Sequence, residues 1–171
     1  RQMCIRDSSK FSNLYVAFSG SKVIQSNNKY YWNFVDSGDG YFYILTSDNS
    51  KAITISGTGN GSDLILTAFN GGADNQKWNK FNAGTGLLHY FKPKSAPTKT
   101  MDIEGPSTAS NAVIQIWEFG TDPDQFKWNT MSTVEKHSIK SNYSNLFVSP
   151  SQANVVQSNT QYEWNFVPVS Y

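Results

Sequence analysis

NQKWNK, residues 75–80, is a short polar-aromatic phrase that returns around every internal tryptophan but one: KYYWNF at 29–34, QFKWNT at 125–130 and QYEWNF at 161–166. Trp32, Trp78, Trp128 and Trp164 are spaced 46, 50 and 36 residues apart, in or near the range in which repeated supersecondary units build one fold. Upstream of each stands an apolar couplet followed by alternation: VIQSN from Val23, LILTA from Leu64, VIQIW from Val113 and VVQSN from Val155. A period of two is the signature of a strand.

Working outward, further strand-like stretches precede the couplets (NLYVAF, KAITIS, KTMDIE, NLFVSP), and others precede those (YFYILTS, LLHYFKP, KHSIKS). Clusters of Gly, Asn, Ser and Pro, such as Ser56 to Ser62 and Pro106 to Asn111, separate them as turns. No segment carries a 3.6-residue period, so the chain is read as all-β with short strands. Composition agrees. Charged residues are 16% of the chain and aromatics 15%, with 5 Trp, 9 Tyr and 11 Phe, a balance that favours strands.

The chain has 171 residues and 19.1 kDa, enough for about one domain. Its net charge of +1 supplies no field to attract a phosphate backbone or an anionic membrane, so neither nucleic acid nor membrane insertion is expected. Apolar runs such as Tyr41 to Leu45 have strand length, far short of the ~18 residues of a spanning helix. Cys4 is the one cysteine, which excludes an internal disulfide and a thiolate metal site. The opening octet RQMCIRDS reads, when reverse-translated, like a common transposon sequencing adapter, and residues 1–8 are set aside from fold reasoning as an expected artefact.

Copies one and four nearly superpose, SNLYV...VIQSNNKYYWNFV against SNLFV...VVQSNTQYEWNFV, with the couplet glutamine seven residues before the tryptophan in both (Gln25 to Trp32, Gln157 to Trp164). In copy three that gap is thirteen, Gln115 to Trp128. The underlying cycle therefore has three members. A three-member cycle of four-strand units ending in a Gln-x-Trp phrase resembles the ricin-B-type β-trefoil lectin family, from about Ser9 to Val169. The phrase is kept as such in Gln76-Lys77-Trp78. Gln125 and Gln161 stand three residues before their tryptophans, and Lys29 replaces the glutamine in copy one. Thr100 and Phe119 occupy places where members commonly carry a cysteine pair.

The resemblance implies three repeats closing into a six-stranded barrel capped by three hairpins. Copies two to four, residues 40–169, would complete one barrel. Copy one, residues 9–37, would be the tail of a preceding trefoil, or would swap with copy four. Leu14, Tyr15, Val16, Trp32 and Phe34 would then pack elsewhere or stay exposed.

The resemblance also implies a shallow sugar site per repeat: an acid on the second strand, an aromatic platform on the third and a polar pair before the closing tryptophan. A neutral sugar needs this set, because its C–H face stacks on an indole while a carboxylate and amides take its hydroxyls. Copy three has every part: Asp102 as the acid, Gln115 and Trp117 as amide and platform, Asp124 and Gln125 as the polar pair. Gln115 and Trp117, two apart on a strand, share a face. The other copies are blunted, with Thr54, Leu66 and Ala68 in copy two, Tyr15 and Asn27 in copy one, and Phe147 and Asn159 in copy four. The closing tryptophans are read as core, and Gln76, Gln125 and Gln161 as partners of buried backbone.

The expected function is non-catalytic binding of a galactose-like sugar through copy three, on glycans or glycoproteins, without cofactor or metal and in an extracellular setting. A protein-binding trefoil of protease-inhibitor or cytokine type is the first rival. The second is a targeting module of a larger hydrolase, with a catalytic domain or further trefoils upstream. His89 and His137 are isolated, and Asp122 and Asp124 flank Pro123 on one loop rather than opposing each other across a bond. Asn60-Gly61-Ser62 and Asn142-Tyr143-Ser144 are glycosylation sequons.

Overall fold

The computed structural model describes residues 3–84, 87–120 and 123–132, and, in a second unit, 136–137, 144, 147–151, 154–158 and 164–165. The first unit spans Arg1–Ser132 and the second Thr133–Tyr171.

The first unit holds three successive four-strand repeats. They are β1 Met3–Ser9, β2 Tyr15–Ser19, β3 Lys22–Ser26 and β4 Trp32–Asp36; β5 Phe42–Leu45, β6 Lys51–Ile55, β7 Ser62–Ala68 and β8 Lys77–Asn82; and β9 Leu88–Pro93, β10 Lys99–Ile103, β11 Ile114–Glu118 and β12 Trp128–Ser132. The outer strands of each repeat pair around a closed ring, β1 with β4, β4 with β5, β5 with β8, β8 with β9, β9 with β12 and β12 with β1. This is a six-stranded barrel without free edges. The inner strands form three hairpins, β2–β3, β6–β7 and β10–β11. Each hairpin leans on the next, through Lys22 opposite Ile65, Asp63 opposite Gln115 and a bridge from Ile24 to Val113.

The repeated tryptophan explains why the phrase recurs. Trp32, Trp78 and Trp128 are wholly buried. Each indole N–H donates to the carbonyl of its own repeat's second strand: to Val16 at 2.9 Å, Ile53 at 3.1 Å and Met101 at 3.3 Å. One side chain thus fills the core and satisfies its polar atom, the condition under which a buried indole is stabilising. Phe34, Phe42 and Phe91, from β4, β5 and β9, add an aromatic trio with centroids 5.0 to 6.1 Å apart. Gln76 of the second repeat donates to the Ala68 carbonyl and the Thr67 hydroxyl, each at 2.9 Å.

The barrel's membership differs from the expected one. Sequence analysis put the trefoil at 40–169 and copy one outside it; here copies one, two and three close the ring. The reason is β1. Residues 3–8, set aside at the sequence level, supply copy one's first strand, in register Ile5 opposite Ser132 through Ser9 opposite Trp128, and Met3 opposite Phe34 through Ile5 opposite Trp32. With that strand in place Val16, Trp32 and Phe34 are core residues of this barrel.

Copy four forms the second unit. Its β14 Phe147–Ser151 and β15 Asn154–Ser158 make a hairpin with Val148 opposite Gln157, and its β13 Lys136–His137 pairs with β16 Trp164–Asn165, His137 opposite Trp164. First strand with fourth, second with third, is the internal pairing of the other repeats. Asn159 and Gln161 lie outside the described residues.

Candidate sugar-binding site

The β10–β11 hairpin sorts its residues by parity. Met101, Ile103, Ile114 and Ile116 point into the core. The opposite face carries Thr100 across from Trp117 and Asp102 across from Gln115, so these four share one surface. Thr100 is buried and donates to the Phe91 carbonyl at 3.1 Å, a polar use for the position where family resemblance suggests a cysteine.

Asp102 is 3% exposed and Gln115 6%, whereas Trp117 stands 43% exposed. Gln115 Nε2 donates to Asp102 Oδ2 at 2.9 Å, and Gln125 hydrogen-bonds the same carboxylate. Asp102 Oδ1 has no partner among the described residues. A buried carboxylate oxygen left in this state costs folding free energy. Burial pushes the Asp102 carboxyl above the usual carboxylate range, against the pull of hydrogen bonds from Gln115, Gln125 and the Ile103 backbone N–H.

The structure thus brings together four of the five residues expected from sequence: Asp102, Gln115, Trp117 and Gln125. Asp124 has other partners. Its Oδ1 lies 3.0 Å from Lys10 Nζ and 3.3 Å from Lys127 Nζ, and the hydrogen bond from Lys10 leads in holding its carboxyl below the usual range. The previous repeat does the same: Asp74 lies 3.0 Å from Lys94 and 3.6 Å from Lys77. Each acid opens a 3-10 turn, Asp74–Gln76 and Asp124–Phe126, that leads into the closing tryptophan's strand. Each also pairs with the lysine that follows the next repeat's first strand. Asp124 therefore clamps one repeat to the next. The turns also settle the register, placing Gln125 level with Asn75 and the buried Phe126 level with Gln76.

Superposing the repeats on their indole-bonded carbonyls corrects the alignment of the other copies. Val16, Ile53 and Met101 are equivalent, so the acid position is Ala17, Thr54 and Asp102, and the residues opposite are Ile24, Ile65 and Gln115. Ser26 and Thr67, rather than Asn27 and Ala68, correspond to Trp117. Among the described repeats only the third presents a carboxylate at that position.

The shared letters VIQ at 23–25 and 113–115 conceal this shift, because β2 and β3 join through a two-residue turn and β10 and β11 through ten residues. Gln25 consequently does a different job. Fully buried, it donates from Nε2 to the carbonyls of Ser107 and Ala109, both at 2.7 Å, and accepts from the Ser12 hydroxyl at 2.7 Å. It staples the long β10–β11 loop to the first repeat. Gln25→Ala removes the donor to the Ser107 carbonyl, one of the two donors to the Ala109 carbonyl and the acceptor of the Ser12 hydroxyl, and is expected to cost about 2–3 kcal/mol of stability, read as a lower urea midpoint with unchanged slope.

Sequence reasoning also missed a wall contributed by the second repeat. Gly61, in the β6–β7 loop, donates its N–H to the Ile116 carbonyl at 3.0 Å, and its neighbour Asn60 accepts from the Glu118 N–H at 2.9 Å. Gly61 has a positive φ of 78°, and a Cβ there would stand 3.8 Å from Gln115 Oε1 and 3.9 Å from Trp117 Cζ3. The Ser56 to Ser62 cluster marked only a turn; nothing in it signalled a cross-repeat contact.

His89 is spoken for: its Nδ1 lies 2.9 Å from the Leu87 carbonyl and 2.9 Å from the Thr130 hydroxyl, and burial lowers its pKa. The side chain of His137 lies outside the described residues. No group of three or more His, Cys, Asp or Glu able to hold a metal occurs among the described residues, and no helix there is long and apolar enough to cross a membrane.

Comparison with known proteins sets these features in a lineage. The family described as ricin-type beta-trefoil lectin domain-like matches residues 26–117. No curated protein sequence matches significantly. A designed three-fold symmetric protein, ThreeFoil, is similar in structure at 23% identity, covering 74% of this chain and 96% of that one with a TM-score of 0.65. The C-half of the earthworm R-type lectin, solved with GalNAc, is similar at 17% identity over 77% of this chain and 99% of its own, TM-score 0.58. An exo-beta-1,3-galactanase from Clostridium thermocellum is similar at 20% identity over 77% of this chain but 30% of its own, TM-score 0.69. These likenesses share the fold. With a matching family profile over more than half of its length and a barrel of three tryptophan-closed repeats, the chain belongs to the ricin-type β-trefoil lectin domain-like family.

Proposed function

We propose that the chain is a non-catalytic carbohydrate-binding module that takes one galactose-like sugar on the outer face of the β10–β11 hairpin. One observation carries the reading. A buried carboxylate, held by two amides and with Oδ1 unpartnered, lies on the same face as a half-exposed indole. The apolar face of the sugar stacks on Trp117, two adjacent hydroxyls donate to Asp102, and the Gln115 and Gln125 amides complete the set. Asp124 is left out, its carboxylate being committed to two lysines. Glycans or glycoproteins in an extracellular setting are the corresponding partners.

A shallow site with a few net hydrogen bonds of about 1 kcal/mol each and one stacking contact implies millimolar to tens-of-micromolar affinity. Further trefoils on one chain would raise it by avidity. The galactanase likeness favours a second setting for the same site, a targeting module of a larger hydrolase, since the matched region makes up 30% of that enzyme's chain.

Calorimetric titration of the full chain with lactose tests the proposal. One site per chain is expected. The affinity should also fall as pH is lowered, because protonation turns one carboxylate oxygen into a donor and removes the charge that strengthens its bonds to hydroxyls, and burial raises the Asp102 pKa. Binding therefore fades on acidification while an ordinary carboxylate, near ~3.9, is still charged. Several equal sites, or an affinity flat down to that pH, would contradict it.

A further inference from the structure

The sequon Asn60-Gly61-Ser62 is absorbed by neither the barrel nor the sugar-contacting residues, and the fold sets it beside the platform. Asn60 is exposed, in a turn, and its side-chain oxygen is held by the Glu118 N–H at 2.9 Å, the residue directly after Trp117. The adjacent Gly61 lies along the edge of the Trp117 ring, with only hydrogen where a Cβ would come within 3.9 Å of it.

We infer that Asn60 is an N-glycan attachment site whose glycan covers the flank of the Trp117 site and limits access to it. This rests on the sugar-binding reading of that site and on an extracellular route for the chain. Attachment uses a lipid-pyrophosphate-linked oligosaccharide as donor. The Asn60 Nδ2–C1 bond forms as the donor's C1–O bond breaks, an amide proton is released, and the lipid pyrophosphate leaves. Attachment at Nδ2 leaves Oδ1 as an acceptor, so the bond from Glu118 survives modification. That bond tethers the stem of the glycan next to Trp117. A single small sugar can still slip onto the ring, whereas a bulky glycoconjugate must displace the attached chain. The second sequon, at Asn142, lies outside the described residues.

The test secretes the full chain from insect cells, alone and as Ser62→Ala, which removes the sequon without touching the Asn60–Glu118 bond. Peptide masses before and after N-glycosidase should show a glycan on Asn60 in the parent and none in the variant. The parent should bind an immobilised galactose-terminated glycoprotein about tenfold more weakly than Ser62→Ala, with free lactose bound equally by both. An unmodified Asn60, or a modified one with equal glycoprotein binding, overturns the inference. If Ser62→Ala binds neither lactose nor the glycoprotein, the sugar-site reading fails and the masking falls with it, while the mass shift still reports attachment on its own.

Discussion

Trp117→Ala should remove lactose binding from calorimetric detection while leaving the unfolding midpoint nearly unchanged. The indole is 43% exposed and lies on the face away from the core isoleucines, so its loss opens no cavity. A substitution of that kind stays within about 0.5 kcal/mol in stability, a shift of about 2 °C or less in Tm. The ligand instead loses its apolar contact, and at millimolar to tens-of-micromolar affinity a loss of about 2 kcal/mol, some thirtyfold, is enough to abolish a signal.

Asp102→Asn should abolish binding too, with the opposite sign in stability. The carboxylate is buried with one oxygen unpartnered, and its pKa is raised, so the folded state binds its proton more readily than the unfolded chain does. Its charged form therefore weighs against folding at neutral pH, and that burden lifts as pH falls through the raised value. Removing the charge should stabilise the unliganded protein at neutral pH by about 1 kcal/mol, visible as a higher midpoint. Full lactose binding by both variants would dismiss the third repeat as the site. A less stable Asp102→Asn would instead assign Asp102 to the scaffold.

Trp78→Ala acts on the other side of the fold. Its indole is wholly buried and donates to the Ile53 carbonyl at 3.1 Å, so truncation opens a cavity and strands an acceptor. Large aromatic truncations in cores cost about 3–5 kcal/mol, a large share of the ~5–15 kcal/mol that holds an ordinary domain together. Urea denaturation should show a correspondingly lower midpoint. A cost below about 1 kcal/mol would mean that the repeated tryptophan is not what the barrel is built around. Trp78 and Trp117 thus form an opposed pair, one needed to fold and one to bind.

Much of this was legible in the sequence, for identifiable reasons. A repeated tryptophan before a polar residue announces its own burial, because one indole per repeat is needed to fill a three-fold core. Asp102 and Trp117 were legible as a pair through the family resemblance, helped by the fact that an acid inside a strand is unfavourable unless something uses it. The ion pairs of Asp124 with Lys10 and Lys127 were not legible. Its partners sit 114 positions back and three ahead, and the former is reached only when the next repeat's first strand comes alongside. Copy one was misaligned, its acid position by two residues and its platform by one, because its VIQ follows a shorter turn than the VIQ of copy three; in copy two the amide and platform positions were each misplaced by one.

The linear pattern by itself determined that the chain is all-β, that it repeats on a tryptophan and that the third repeat alone combines an acid, an amide and an indole. Those properties are local, set by side-chain period and residue type. Tertiary structure decided which three of the four copies share a barrel, where Asp124 points and that a glycine of the second repeat borders the third repeat's platform. Each depends on which strand meets which across the ring, and near-identical repeats such as the first and fourth offer that choice almost identical pairing surfaces.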